Sequence, residues 1–137
     1  MDRRGLGRTY YGRDELQRSH FDLRADRLAA ILREIEKRSS DPGLSAITVA
    51  NTLGITARYV HLLLAETGAR FSHHVLDRRL EKAAALLRDW QWRDRLIIEI
   101  AAEAGFTDIS HFNRAFRRKF RATPSVMREL SGRDAKP

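Results

Sequence analysis

The chain has 137 residues, enough for one compact domain or two very small ones, and 42% of them are hydrophobic, which supports a core. It contains no cysteine, so disulfides, thiolate metal sites and cysteine nucleophiles are excluded. Twenty-six Lys and Arg residues against eighteen Asp and Glu give a net charge of +8, which favours a polyanionic partner such as nucleic acid or an anionic membrane surface.

The sequence predicts neither a transmembrane helix nor a secretory signal at its start. No apolar run approaches the length of a transmembrane helix, and residues 1–15 lack the apolar region of a secretory signal. We therefore expect a cytoplasmic protein. Residues 1–22 contain scattered charge and three glycines without a helical period, and we interpret them as a flexible tail or residual linker.

Helical periodicity begins after this tail. Apolar residues recur at the spacing of an amphipathic helix at Leu28, Ile31, Leu32 and Ile35. The helix is expected to end before the turn cluster of residues 39–43. A longer helix is predicted from about Ser72 to Trp90, with a loop at Gln91–Arg95, and its apolar stripe comprises Leu76, Leu80, Ala83 and Leu87. Since no stretch shows the alternation of a strand, the fold class is all-α.

An internal repeat is the strongest feature of the sequence. Residues 49–56 align with residues 100–107 at a constant offset of 51. Each copy has an apolar residue, an alanine, two free positions, an apolar residue, a glycine, an apolar residue and a threonine. The copies read Val49-Ala50-Asn51-Thr52-Leu53-Gly54-Ile55-Thr56 and Ile100-Ala101-Ala102-Glu103-Ala104-Gly105-Phe106-Thr107.

This pattern has the physical requirements of a helix-turn-helix corner. The alanine allows a second helix to cross closely, and the glycine ends the first helix in the left-handed conformation. The threonine then caps the second helix by accepting a backbone N–H bond. One copy is compatible with any tight helical corner, but two copies in one short chain favour paired helix-turn-helix motifs over a plain helical bundle.

The helix after the second copy is predicted to have an apolar face and a cationic face. At 100° per residue, Phe112, Phe116 and Phe120 fall on one side, which we assign to the core. The opposite side holds Ser110, Arg114, Arg117, Arg118 and Arg121, with His111 at its edge. Such a face is often merely solvated. Its position directly after a helix-turn-helix corner favours contact with the major groove of DNA.

The helix after the first copy is less cationic. Its core side is Val60, Leu63 and Leu64, and the offset to the second copy becomes 52, which predicts one extra residue in the second recognition helix. Residues 56–70 hold two basic groups and one acid, against five and one in residues 108–121. Leu62 stands where the second copy has Arg114, so the two helices are expected to read DNA unequally.

Several of these residues together resemble the AraC/XylS family of bacterial transcription regulators. The second-motif signature of that family is similar to Gly105-Phe106-Thr107-Asp108, His111-Phe112-Asn113-Arg114-Ala115-Phe116-Arg117-Arg118 and Thr123-Pro124. Its linker helix resembles the segment containing Arg79, Leu80, Ala83, Leu86 and Leu87. The resemblance covers roughly residues 25–131.

The resemblance implies seven helices, arranged as two helix-turn-helix subdomains joined by a long linker helix. We place the first subdomain at residues 23–70, the linker helix at 71–92, the second subdomain at 93–132 and a tail at 133–137. It further implies a sequence-specific regulator that inserts its recognition helices into successive major grooves of double-stranded DNA, with RNA polymerase as a partner. A helix of nineteen residues spans about 28 Å, close to the roughly 34 Å of one duplex turn.

The family roles can be carried over residue by residue. The base-reading residues implied are Arg58, His61, Leu62, Ser110, His111, Asn113 and Arg114. The phosphate-binding residues implied are Thr56, Thr107, Arg117, Arg118 and Arg121. Simple solvent exposure is the alternative for His61 and His111.

Three departures from the family pattern affect these roles. Many members have Arg at the position of Leu62 and Phe at that of Leu64, so the first helix is expected to meet a thymine methyl rather than a guanine edge. Arg121 replaces a glycine, so either the turn differs or the arginine is kept for a phosphate. Most members also carry an effector or dimerisation domain, which we expect to be absent from this chain.

Other classes of function are less favoured. No phosphate loop or carboxylate pair suggests an enzyme, and we expect no catalytic residue and no cofactor. We also expect no metal site, because the adjacent His73 and His74 diverge by about 100° on a helix. A basic helical module that binds RNA or anionic surfaces without reading sequence is the main alternative. A membrane partner is not expected, since surface-binding helices need large exposed apolar residues.

Overall fold

The computed structural model describes residues 13–135 and confirms the all-α class within them. The seven α-helices are α1 (Arg13–Arg38), α2 (Ala46–Leu53), α3 (Ala57–Ala65), α4 (Phe71–Arg88), α5 (Ile97–Ala104), α6 (Ile109–Phe120) and α7 (Pro124–Ala135). A short 3-10 helix, Trp90–Trp92, follows α4 where a loop was expected. No helix of the described chain is both long and apolar enough to cross a bilayer.

Both chain ends are more helical than the sequence pattern indicates. Helix α1 begins at Arg13, so the expectation of a tail is wrong for residues 13–22, and α7 continues to Ala135 beyond the expected end at 132. Residues 1–12 and 136–137 lie outside the described chain. Side chains at 17–20 of α1 are exposed. Exposed positions do not require apolar residues at a helical spacing, which explains why the periodicity missed this extension.

Two hydrophobic cores share the linker helix α4. The first core contains Ile31 and Ile35 of α1, Val49 of α2 and Leu63 of α3, together with Val75 from the first turns of α4. The second core contains residues of α4, α5 and α6. Those from α4 are Leu80, Ala83, Ala84 and Leu87. Helix α4 has 18 residues and is therefore about 27 Å long, close to the length of about 28 Å expected for the linker helix.

The first helix-turn-helix corner closely matches the predicted arrangement of residues. Ser45 caps α2 by accepting the N–H of Thr48, and Gly54 ends α2 with φ 70°. Thr56 then caps α3 by accepting the N–H of Tyr59 at 3.0 Å. The sequence expectation for this corner is confirmed at Gly54 and Thr56.

The second corner differs from the first by one residue in its turn. Gly105 ends α5 with φ 110°, as expected, but the cap of α6 is Asp108, whose carboxylate accepts the N–H groups of Ser110 and His111. Capping by Thr107 is therefore wrong. The extra residue behind the change of offset from 51 to 52 lies in the turn and not in the recognition helix. A carboxylate caps at least as well as a hydroxyl, so the longer turn adopts Asp108.

Arg121 takes the left-handed conformation that a glycine would adopt more easily. It ends α6 with φ 59° and ψ 27°, and within residues 13–135 it is the one non-glycine with positive φ. Hence the turn is retained despite the substitution. We expect Arg121→Gly to be more stable than Arg121→Ala by about 1 kcal/mol, because only the alanine keeps the Cβ strain. Urea unfolding of the two variants measures this, and equal midpoints would show that Arg121 is not strained.

Candidate nucleic-acid interface

Helix α6 has the two faces predicted for it. Phe112, Ala115 and Phe116 are buried, and Phe106 packs edge-on against Phe112 with ring centroids 4.9 Å apart. The exposed candidate residues are Ser110, His111, Asn113, Arg114, Arg117, Arg118 and Arg121. Aromatic packing thus fixes the rotation of α6, and every candidate residue of this helix lies on the solvent side.

A groove of about 590 Å³ runs along this exposed face. Asn113, Arg114 and Arg117 line it from α6, and the start of α7 at residues 123–125 closes its far side. These three α6 side chains are thereby brought to one surface, where two guanidinium groups and a carboxamide offer hydrogen-bond donors. Such donors suit phosphate oxygens and guanine edges. Ser110 and Arg118 are exposed but do not line this groove.

Helix α3 presents a weaker surface. Val60, Leu63 and Leu64 are fully buried, as predicted. The outward candidates are Arg58, His61 and Leu62, all exposed. Leu62 remains 47% exposed, so a large apolar side chain stands in the middle of the outward face of α3. The hydroxyl of Thr56 accepts the cap bond from the N–H of Tyr59.

A cleft between the two subdomains brings the histidines of both helices to one surface. Its volume is about 1240 Å³, and His61 of α3 and His111 of α6 lie on its walls with Arg70 and His73. The sequence assigned His61 and His111 to separate helices and did not indicate that they share a cleft.

Lys119 is directed away from the outward face. Its ammonium group donates to the carboxylate of Asp77 on α4 and lies 3.3 Å from that of Glu81. The hydrogen bond to Asp77 raises the pKa of Lys119 above its ordinary value, although desolvation opposes the shift. Lys119 is one of the five basic groups counted in residues 108–121, so the unpaired positive charge of this segment is smaller by one than that count suggests. Lys119 fastens α6 to the linker helix instead.

Two exposed isoleucines were missed by the sequence interpretation. Ile47 on α2 and Ile98 on α5 are 62% and 56% exposed, and they occupy the same position of the repeat, 51 residues apart. Ile98 lines the α6 groove, and Ile47 lines the cleft. The sequence contained a signal for them, because both isoleucines stand two residues before the apolar position that begins each copy of the repeat, on the opposite side of the helix. They offer apolar contact area beside the cationic groups.

The histidine pair on α4 has separate environments. The ring of His74 lies 2.8 Å from the hydroxyl of Thr67, while His73 is exposed at the cleft. That hydroxyl also lies within hydrogen-bonding distance of the carbonyl oxygens of Leu64 and Ala69. Within the described residues, no three His, Asp or Glu side chains are grouped as a metal ion requires.

Comparisons with known proteins agree with this geometry. Residues 49–130 match the family described as Helix-turn-helix domain. The transcriptional activator RhrA of Rhizobium meliloti is 34% identical over 106 residues, covering 77% of this chain and 33% of that protein. The transcriptional activator RhaS of Salmonella arizonae is 38% identical over 90 residues, covering 65% and 31% respectively. The chain thus spans about one third of the length of these relatives.

Solved structures show the same arrangement of helices. A transcriptional regulator with an AraC-type DNA-binding domain from Chromobacterium violaceum has a TM-score of 0.69 at 25% identity, covering 82% of this chain and 96% of that one. The C-terminal domain of the response regulator AraT from Geobacillus stearothermophilus has a TM-score of 0.65 at 28% identity, covering 75% and 84%.

Proposed function

The chain belongs to the AraC/XylS family of helix-turn-helix transcription regulators, and from this premise we propose that it binds double-stranded DNA sequence-specifically through α3 and α6. The two helices would enter successive major grooves on one face of the duplex. The groove along α6, lined by Asn113, Arg114 and Arg117, is the observation that carries the proposal. Its guanidinium groups follow the helix-turn-helix corner at the place where a recognition helix meets base edges.

The proposed roles divide the exposed residues into two sets. Base reading is assigned to Arg58, His61, Leu62, Ser110, His111, Asn113 and Arg114. Phosphate binding is assigned to Thr56, Thr107, Arg117, Arg118 and Arg121. Thr107 is exposed and has no capping role, so its hydroxyl is free for this contact. Leu62 would contribute apolar contact with a thymine methyl.

The wider setting of the proposal follows from the relatives. RhrA and RhaS are named transcriptional activators, which supports RNA polymerase as a partner and the cytoplasm as the compartment. Binding, rather than catalysis, is the proposed activity. The alternative of RNA or anionic-surface binding is less favoured. RNA readers use exposed aromatic side chains for base stacking, whereas Phe106, Phe112 and Phe116 of this chain pack into the core.

Arg114 should carry sequence discrimination, whereas Arg118 should not. We expect Arg114→Ala to weaken binding to a preferred duplex, obtained by selection from random sequences, by about 1–3 kcal/mol and to relax selection at one base pair. A guanidinium that holds guanine O6 and N7 as a fork explains this loss. Arg118→Ala should weaken preferred and scrambled duplexes equally, because a phosphate contact carries no sequence information. Titration of each variant against both duplexes at one stated salt concentration measures the difference.

Leu62→Ala is the matched variant in the first helix. This substitution should reduce the affinity for DNA little. It should change base preference only at the position where Leu62 contacts a thymine methyl. If Arg114→Ala lost the same affinity on the preferred and scrambled duplexes, Arg114 would be a backbone contact and the assignment of the reading face would be wrong. Competition by RNA or anionic vesicles as strong as that by duplex DNA would favour the alternative function.

A further inference from the structure

Three segments from both subdomains meet at a single junction. The loop after α1, residues 39–41, belongs to the first subdomain, and Gly105 forms the second helix-turn-helix corner. Helix α4 passes between them and contributes Arg79 to the contact. The two hydrophobic cores share no buried residue, and this polar junction connects the loop of the first subdomain with α4 and the second corner.

Arg79 makes a forked contact with the loop. Its Nε donates to the carbonyl oxygen of Ser39 at 2.7 Å, and its Nη2 donates to the carbonyl oxygen of Asp41 at 2.9 Å. One turn along α4, Lys82 donates from Nζ to the hydroxyl of Ser40 at 2.7 Å. Ser39 is buried, and burial lowers the pKa of Arg79, although a guanidinium stays charged near neutral pH. The fork therefore holds the loop backbone from Ser39 to Asp41 in one geometry.

Gly105 closes the junction from the other side. A Cβ atom at this position would lie 2.7 Å from the carbonyl oxygen of Ser39 and 2.9 Å from Nε of Arg79. The second corner thus rests directly on the bond between Arg79 and the loop. Gly54, the equivalent residue of the first corner, has no atom within 4 Å of such a Cβ. Close packing at Gly105 is a property of the junction and not of helix-turn-helix corners in general.

From these contacts we propose that Arg79, supported by Lys82, is a positioning residue that fixes the relative placement of α3 and α6 and thereby the half-site spacing that the chain accepts. The proposal rests on the proposed function. One duplex turn of about 34 Å separates adjacent half-sites, and inserting two base pairs rotates the second half-site by roughly 70°. A rigid junction cannot follow that rotation, whereas a loosened one can.

The first test measures the junction in the free protein. Since the chain has no cysteine, Arg33→Cys on α1 and Glu103→Cys on α5 provide two exposed positions for spin labels. The parent should give a narrow distribution of label distances, and Arg79→Gln should broaden it. Arg88→Gln is the matched control, because Arg88 is exposed at the end of α4 and removes the same charge without touching the loop. Lys82→Met removes one contact and should broaden the distribution less.

The second test measures spacing on DNA. The parent should lose about 30-fold in affinity when two base pairs are inserted between half-sites, because only one helix then docks. Arg79→Gln should bind the normally spaced site more weakly than the parent does. Inserting two base pairs should then reduce the affinity of this variant by less than about fivefold. Affinity for a duplex holding only the α6 half-site should be unchanged within about twofold, since the α6 surface is intact.

The possible results distinguish a failure of the Arg79 proposal from a failure of the proposed DNA-binding function on which it rests. If Arg79→Gln and Lys82→Met leave the distance distribution narrow, the junction is not what positions the subdomains. If the distribution broadens while the insertion penalty stays at the parent value, Arg79 does not set spacing and the proposal is overturned. A parent that binds no duplex refutes the proposed function and the spacing claim with it, while the distances still decide whether Arg79 joins the subdomains.

Discussion

Gly105→Ala is expected to destabilise the fold by about 2–5 kcal/mol, whereas Gly54→Ala should cost only about 1–2 kcal/mol. Both glycines have positive φ, so both alanines carry the strain of the left-handed region. At Gly105 the added methyl also meets the carbonyl oxygen of Ser39 and Nε of Arg79 at distances that real Cβ atoms do not adopt. The neighbours would have to move, and overpacking of this kind adds about 1–3 kcal/mol.

Urea unfolding of the parent and the two alanine variants measures this difference. The comparison is matched, because the same substitution is made at equivalent positions of the two corners, and only the surroundings differ. Gly105→Val should be at least as damaging, since a β-branched side chain resists positive φ. Equal losses at Gly54 and Gly105 would show that the second corner does not rest on the loop after α1.

Affinity for duplex DNA is expected to fall about 500- to 1,800-fold between 50 and 200 mM salt, a slope of roughly −4.5 to −5.4 in log K against log salt. The estimate assumes about five or six neutralised phosphates, each of which releases a condensed counterion. The exposed arginines of α6 and the net charge of +8 motivate it. Fluorescence anisotropy of a labelled duplex over this salt range gives the slope, and a slope near zero would remove the DNA-binding proposal.

Two neighbouring residues of α6 provide the control for this measurement. Arg118→Gln should make the slope less steep by about 0.9, the value of one phosphate contact. Lys119→Gln removes the same charge but should leave the slope unchanged, because Lys119 is held by Asp77 and Glu81 of α4. Equal changes for the two variants would mean that the ion pairs of Lys119 open when DNA binds.

Local chemistry made the corners and the faces of the helices predictable. Gly54 and Gly105 were identified because ending a helix at positive φ favours glycine, whatever packs around it. Thr56 was identified as a cap because a hydroxyl at that position satisfies a free N–H. The buried face of α6 followed from the spacing of Phe112 and Phe116, since side chains four apart share one side of a helix.

Contacts between distant segments were not predictable in this way. The repeat suggested that Thr107 would cap α6, but both Thr107 and Asp108 are acceptable caps, and only the path of the turn selected Asp108. Lys119 was counted with the free cations, because the sequence does not reveal that α6 passes within reach of Asp77, 42 residues earlier. The extension of α1 left no helical period in the sequence, and its side chains at 17–20 are exposed.

The sequence by itself thus determined the class, the family, the two corners and the outward residues of α3 and α6, because each depends on interactions within a few residues of chain. The tertiary structure alone decided which outward residues share a surface and how the subdomains are joined. Arg79 is the clearest case: in the sequence it is one arginine beside another, and its fork onto Ser39 and Asp41 exists only once 38 to 40 residues of chain have folded back. Hydrogen bonds to backbone carbonyls leave no trace in residue type, so no local pattern could have marked them.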